Sequence, residues 1–452
     1  EVQGFITHPA DRKTHGSEPA DVLTQENAHH YTPVAGSLKS LLQNRFRKQW
    51  EAAQTVELNT LNSYKAFQFK YIDKKVKRIS LMWVFRIKFV DGKFHKFKAR
   101  LVARGFTQRA GIDYDPKGIS SPVARASTFM ATMAEGVHKH HHFEEFDVTC
   151  AYLLAELKED VYAAIPYGME IVPGTNALRL NKSLYGLRQS GFNWFTKFSK
   201  QLIALKFRQS TVDPCLFTYE HNGDLIRICI WVDDGLVSTN NIKLWHQIRD
   251  QIHKNTPLGS SGKLGWLLGM KIDYDRLNGV MRISQRAKIQ ALLERYGMLD
   301  CRPVSTPLDH RQKLVYSPPT TAAEEAAVVK AANNGGRSNR YKTYAHVVKA
   351  VREIIGSIGH LACWGRPDVR HSIYMLARYQ ERPTAETWQL LWRHLRYLKG
   401  TQDLTLTFGL REFDDESPLV CMVDSDYIGS GDNCYSTTGY VYWFYGCPIL
   451  CD

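Results

Sequence analysis

At 452 residues the chain has room for two or three domains with cores of their own, and its 44% hydrophobic and 12% aromatic content excludes a largely disordered protein. No apolar run approaches the roughly 20 residues of a membrane span, and no charged-then-apolar leader opens the sequence, so neither membrane insertion nor secretion is expected. The first residue is Glu1, which fits a fragment or a processed product. The nine cysteines show no paired C-x-x-C spacing, which disfavours a zinc knuckle or disulfide framework and suits a reducing, intracellular compartment. The net charge of +14 is unevenly spread: residues 61–110 hold fourteen Lys and Arg against only Asp73 and Asp91. Interleaved with Trp83, Phe85, Phe89, Phe94 and Phe97, this stretch suits a polyanion surface, where cations release counterions and aromatics stack on bases. The same pattern fits the solubilising face of an ordinary sheet.

In chain order, residues 1–40 are polar and without period and are expected to be poorly ordered. From Ser37 to about Leu61 apolar residues recur at threes and fours around Trp50, which predicts a helix. A strand-rich basic segment follows to Arg109, with Asp91-Gly92 as a hairpin turn. Residues 125–143 read as a helix ending in His138-Lys139-His140-His141-His142, a solvated end rather than a metal site. Glu145 to Val148 predicts a strand, then a turn and helix through Leu157, then a helix over Gly191–Leu205. Two strands follow, Cys215–Tyr219 and Leu225–Val232, joined at His221-Asn222-Gly223-Asp224. Residues 309–340, with Ser317-Pro318-Pro319 and Asn333-Asn334-Gly335-Gly336, read as a linker. Helical patterning returns over 344–400, and Leu419–Val423 predicts a last strand before Asp424.

The apolar run Leu225–Val232 leads straight into Asp233-Asp234. Two carboxylates at the tip of an apolar hairpin repel each other, and a divalent cation relieves that cost. Asp147, at the end of another predicted strand, would make a third ligand, and hard oxygens without His or Cys favour Mg²⁺ over zinc. Taken alone, an Asp-Asp pair after a strand fits an ordinary turn as well as a metal site.

Lys98-Ala99-Arg100-Leu101-Val102-Ala103-Arg104-Gly105-Phe106-Thr107-Gln108 is similar to K-A-R-L-V-A-K-G-F-T-Q, and Phe146-Asp147-Val148-Thr149-Cys150-Ala151-Tyr152-Leu153 resembles D-V-K-T-A-F-L. Leu184-Tyr185-Gly186-Leu187-Arg188-Gln189-Ser190 is similar to L-Y-G-L-K-Q-S, and Trp231-Val232-Asp233-Asp234 stands where Y-V-D-D would. Leu267-Leu268-Gly269-Met270, Val304-Ser305-Thr306-Pro307-Leu308, Gly356-Ser357-Ile358, Arg366-Pro367-Asp368-Val369 and Arg396-Tyr397-Leu398-Lys399-Gly400-Thr401 follow in order. Together these segments resemble the reverse-transcriptase region of copia-type (Ty1/copia, Pseudoviridae-like) retrotransposon Pol polyproteins, over about residues 45–445.

The resemblance implies an α+β right-hand polymerase of fingers, palm and thumb, with an antiparallel palm sheet and a truncated ribonuclease H-like α/β segment after it. The implied division is a poorly ordered segment at 1–40, fingers and palm at 41–308, a linker at 309–340, a helical thumb or connection at 341–416 and the ribonuclease H-like start at 417–452. Asp147, Asp233 and Asp234 become the catalytic carboxylates, holding two Mg²⁺ ions (Mn²⁺ as an alternative) together with Val148. Tyr152, with Ala151 beside it, falls at the aromatic gate against the 2′-hydroxyl. Tyr185, Gly186, Lys98 and Arg100 fall at the nucleotide pocket. Arg104, Arg188, Trp231, Gly269 and Met270 fall on the template–primer path. The implied partners are an RNA template, a DNA primer, deoxynucleotides and other parts of a Pol polyprotein, in a cytoplasmic virus-like particle or the nucleus.

Departures from the pattern give a second reading, a degenerate remnant that binds nucleic acid without catalysis. Trp231 replaces the usual Tyr and is large enough to crowd a primer terminus, and Gly191 replaces a frequent Pro, which would loosen the following helix. Asp424 resembles the first ligand of a ribonuclease H centre whose later carboxylates are expected beyond residue 452, so ribonuclease H activity is not expected of this chain.

Overall fold

The computed structural model describes residues 23–24, 27–90, 93–309, 317–334, 340–411, 413, 417–425, 436 and 438–451. Asp91-Gly92 and nearly all of 1–26 lie outside them, so the hairpin turn is not described, while 27–40, expected to be poorly ordered, hold a short helix at Ala28–Tyr31 and the start of another at Leu38–Leu42. The fold is α+β, its paired strands antiparallel. It divides into two compact units, and neither is continuous in sequence. Among the described residues no helix is long and apolar enough to cross a membrane.

The first unit comprises Glu1–Val123, Val148–Lys206 and Asp250–Gly259. Its core lies between the helix Arg47–Ser63 and a two-stranded ribbon, Leu81–Val90 paired with Lys93–Ala103. Trp50 is fully buried, with its ring 5.3 Å from Phe85 and 4.6 Å from Phe97. The helix predicted as one piece from Ser37 is two, Leu38–Leu42 and Arg47–Ser63. Asn44 makes the break: its side chain accepts from the Phe46 N–H at 2.9 Å and donates to the Tyr31 carbonyl at 3.0 Å, a local alternative to helical bonding. Gly191 does not loosen its helix, which runs Ser190–Ala204; the missing side chain makes room for Ser121, only 2.8 Å from where a Cβ would sit.

The second unit comprises Ala124–Asp147, Phe207–Arg249 and Ser260–Asp452. At its centre the strands His142–Val148, Asp234–Thr239, Asp224–Trp231 and Leu216–His221 pair in that order. Asn222 and Gly223, both at positive φ, form the tight turn expected between the last two. The central strand Asp234–Thr239 is buried at nearly every position, so both faces of the sheet are covered, each by a helix. The helix Ala126–His138 meets one, with Thr132 Oγ1 3.2 Å from Cys229 Sγ. The helix Ile242–Asn255 meets the other, with Trp245 Nε1 donating to Glu144 at 2.7 Å. The histidine run is not simply a solvated helix end: His141 is 3% exposed, with Nδ1 3.0 Å from Ser238 Oγ. It is buried because the chain turns there from helix into a central strand.

A second sheet joins Trp266–Leu267, Met270–Asp275, Val280–Ser284 and Thr405–Phe408. The helices Arg286–Tyr296, Tyr344–Trp364, Arg370–Ala377 and Ala385–Gly400 bury one apolar cluster. The stretch read as a linker contains a helix of its own, Ala322–Asn333, started by a capping box in which Thr321 and Glu324 bond each other's main chain. Arg366, 2% exposed, grips Asp368 with two nitrogens at 2.9 and 2.7 Å and reaches Thr401, while Tyr397 donates to the same Asp368. Two of the sequence motifs are therefore halves of one hydrogen-bonded network closed around the buried Arg366. A last sheet pairs Leu419–Ser425, Thr438–Phe444 and Cys447–Cys451, with Asp424 exposed on its first strand.

Candidate active site

Asp147 and Asp234 face each other directly across paired strands, and Asp234 in turn faces Trp231 across the hairpin. The two-residue turn between them, Val232-Asp233, places Asp233 beside the pair. The three carboxylates offer oxygens that all lie within 4.8 Å of one another, the only such group of acidic, His or Cys residues among the described residues. Val232 holds φ at +59°, a left-handed conformation that costs a β-branched residue about 1–3 kcal/mol. Strain at the tip is thus the local cost of turning both aspartates toward Asp147.

Register is fixed from beneath. Gly235 pairs with Phe146, whose ring occupies the space that a side chain at 235 would need. A one-residue slip would drive a side chain into that ring and turn Asp234 to the opposite face. Burial, then Asp233, Asp147 and Glu145 in that order, push the Asp234 carboxyl up to about 6. Glu145 is itself raised, chiefly by burial. The sequence reading missed Glu145, Gly235 and Phe146. The signal for Glu145 was present, since residues two apart on a strand share a face and Glu145 stands two before Asp147.

Hard oxygen donors, crowded enough to raise one member's proton affinity, fit a divalent cation such as Mg²⁺. Val148 and Ala151 have side chains only 2% exposed, so any ligand contact from them comes from the main chain. Trp231 has its ring 5.5 Å from Trp364 and 6.5 Å from Phe129, an aromatic cluster that accounts for its size.

In the first unit the ribbon separates its faces by alternation. Trp83, Phe85, Ile87, Ala99 and Leu101 are buried, while the cross-strand pairs Arg86–Lys98 and Lys88–Lys96 and the side chain of Arg100 share the other face. Burial and neighbouring cations lower the proton affinity of both Lys88 and Lys98, and Glu57 is the acid that offsets Lys98. Tyr152 and Tyr185 meet edge to face at 4.8 Å, and the Arg100 guanidinium stands 4.2 Å from the Tyr185 ring. These three predicted nucleotide residues are therefore neighbours.

Gly186, at φ +91°, and Gly105 bring two loops into main-chain contact, since a Cβ on either would collide with a carbonyl of the other loop. Arg188 is spent partly on structure, donating to the Gly105 carbonyl at 3.1 Å. Arg104 is half-buried at the end of the ribbon. In the second unit Leu268 and Gly269, both at positive φ, turn a short hairpin whose tip is held by Lys288 Nζ, donating to the Leu268 carbonyl at 2.6 Å. Met270 is fully buried, so its side chain is core rather than a primer contact. Asp424 is in no metal-competent group among the described residues.

The family described as reverse transcriptase (RNA-dependent DNA polymerase) matches residues 64–310. This chain belongs to that family, in its copia-type retrotransposon branch. The Pol polyprotein from transposon TNT 1-94 of Nicotiana tabacum is 30% identical over 418 residues, covering 91% of this chain and 30% of that polyprotein. The Pol polyprotein from transposon RE1 of Arabidopsis thaliana is 30% identical over 374 residues, covering 82% and 23%. The Ty1-BL Gag-Pol polyprotein of Saccharomyces cerevisiae is 25% identical over 389 residues, covering 83% and 20%. The chain thus spans under a third of the relatives it matches. A solved foamy viral protease-reverse transcriptase in complex with double-stranded DNA aligns at 12% identity and a TM-score of 0.42, over 89% of this chain and 55% of that one, too loosely to carry an argument.

Proposed function

We propose that this chain is an RNA-directed DNA polymerase that adds deoxynucleotides to a primer 3′-hydroxyl on an RNA template. The observation that carries the reading is the convergence of Asp147, Asp233 and Asp234 at paired strand ends, in a chain of reverse-transcriptase descent. These three would hold a pair of Mg²⁺ ions, with Mn²⁺ able to substitute, and bound metal would stabilise both the attacking hydroxyl and the departing pyrophosphate.

The chain's own groups supply position and charge. The ladder between the strands of Asp147 and Asp234 keeps the carboxylates in place before substrate arrives, so little reorganisation is needed during reaction. Lys98, Arg100 and Arg104 would take triphosphate or template phosphates. Tyr152, braced by Tyr185, would exclude a 2′-hydroxyl and so select deoxynucleotides. Arg188 and the Gly269 turn would line the template–primer path. Other segments of a Pol polyprotein are the proposed partners, and a cytoplasmic particle or the nucleus the proposed location.

Primer extension on an RNA template with Mg²⁺ tests this reading. Incorporation is expected, falling about 100-fold or more in Asp233→Asn. Properly folded protein that binds template–primer but never extends it would instead support a non-catalytic remnant.

A further inference from the structure

Val232 keeps φ at +59° although it is β-branched, and a residue holds such a conformation only where its surroundings leave it no alternative. On the far side of the turn, Gly235 is packed against the Phe146 ring. The near side is Trp231, which pairs with Asp234 across the hairpin, so the two side chains leave the sheet on the same face. Whatever fixes the Trp231 ring therefore fixes both the start of the turn and the wall beside the Asp234 carboxylate.

Two rings from distant segments fix it. Phe129, fully buried on the helix Ala126–His138, lies 6.5 Å from Trp231, and Trp364 lies 5.5 Å from it at 76°, edge to face. Phe129 and Trp364 also meet, 5.6 Å apart at 66°, so the three rings close a triangle. Edge-to-face pairs prefer a direction as well as a distance, and the cluster therefore resists rotation of its rings. Trp364 is 4% exposed and is itself held. It ends the 21-residue helix Tyr344–Trp364, whose buried side is core, and two residues later the Arg366 guanidinium is bonded to Asp368 and Thr401. The Arg366 N–H closes back onto the Leu361 carbonyl at 3.0 Å, so the chain is tied down on both sides of Trp364.

We propose that Trp364 is a positioning residue of the carboxylate centre: through the Trp231 ring it holds the strained Val232-Asp233 turn, and with it Asp233 and Asp234, in place. Its effect on rate rests on the polymerase reading given above, whereas its effect on the carboxylates does not.

The test is steady-state primer extension by the full chain, with kcat and the deoxynucleotide KM measured separately. Trp364→Leu should lower kcat by about tenfold or more and leave KM within about threefold, since a misaimed carboxylate slows the chemistry without touching the incoming nucleotide. Trp364→Phe keeps a ring in the cluster and should recover most of the rate. Trp388→Leu removes a buried tryptophan of the same unit whose ring meets Tyr341 and Trp392 instead, and should lose stability without the fall in kcat. Manganese titration followed by electron paramagnetic resonance reads the same geometry without turnover: Trp364→Leu should weaken binding about tenfold, and Trp388→Leu should not. Where the leucine variant does not fold, Trp364→Met carries the same comparison. A parent chain that binds manganese but extends nothing refutes the polymerase reading alone, and the manganese comparison then decides this one. Equal losses in the Trp364 and Trp388 variants, parental rate and affinity in Trp364→Leu, or a parent that binds no manganese overturns the proposal.

Discussion

Gln108 donates a hydrogen bond from Nε2 to Oε1 of Gln189 at 3.0 Å, joining two loops 81 positions apart. Both side chains also reach the Asp113 carbonyl, and Gln108 Oε1 accepts the Arg188 N–H at 2.9 Å. The motifs around Gly105 and Gly186 are therefore two sides of one joint that carries the end of the basic ribbon.

Gly186→Ala should break that joint. The new methyl meets a carbonyl at a positive φ, so a loss of about 2–4 kcal/mol is expected, combining overpacking with backbone strain. Denaturant unfolding followed by intrinsic fluorescence measures it; stability within 0.5 kcal/mol (about the scatter of a neutral surface change) would contradict the geometry.

Val232→Gly separates strain from function. Glycine removes the positive-φ penalty of about 1–3 kcal/mol and returns up to about 1 kcal/mol as chain entropy, so stability should hold or rise. Incorporation should fall, because the turn that aims Asp233 becomes loose. A parallel fall in stability and rate would show that the turn is merely structural.

Trp231→Tyr tests whether the large ring obstructs a primer. Since the ring packs with Phe129 and Trp364, the smaller side chain should cost about 1–2 kcal/mol and leave extension within tenfold of the parent. A gain well above tenfold would mean that the ring obstructs after all.

Acid should weaken the second unit through two buried histidines. Burial lowers His141 and His394 to about 4 from an ordinary 6.5, so the unfolded chain binds protons that the folded one refuses. Stability contributed by each is therefore complete above pH 6.5, declines as pH falls toward 4 and levels off below, a loss of about 3 kcal/mol apiece. Urea unfolding at pH 7 and pH 4.5 checks this, and His394→Gln should flatten the difference.

Arg366→Ala empties a buried site and takes from Asp368, whose side chain is still 31% exposed, its paired cation, which should cost about 1.5–3 kcal/mol. Thermal unfolding reads the loss, and recovery in an Arg366→Met, Asp368→Leu double variant would mark the pair as replaceable packing.

Much of this was legible in the chain. Alternation sorted the ribbon into basic and apolar faces, because a half-buried strand writes its burial with period two, whereas the strand Asp234–Thr239, buried at nearly every position, carried no such signal and was not predicted. Family motifs located the three carboxylates, but not what each motif residue does. Arg366 and Thr401 looked like a signature and are a buried network, and Met270 looked like a primer contact and is core. Such roles depend on which distant segment arrives beside a residue. For the same reason Gly235 was invisible until Phe146 was seen to fill its place. The break at Asn44 came from side-chain competition for main-chain donors, which apolar periodicity does not register.

The interleaving of the two units has a consequence for synthesis. The first unit holds the ribbon strand Leu81–Val90 and needs residues up to Gly259 to complete it. At 5–20 residues per second, roughly 10–35 s pass on the ribosome between those segments. The apolar side of the ribbon is covered sooner, since its cluster closes at Leu187, but the unit stays open until its last segment emerges, and a cut between contiguous halves would leave neither unit whole.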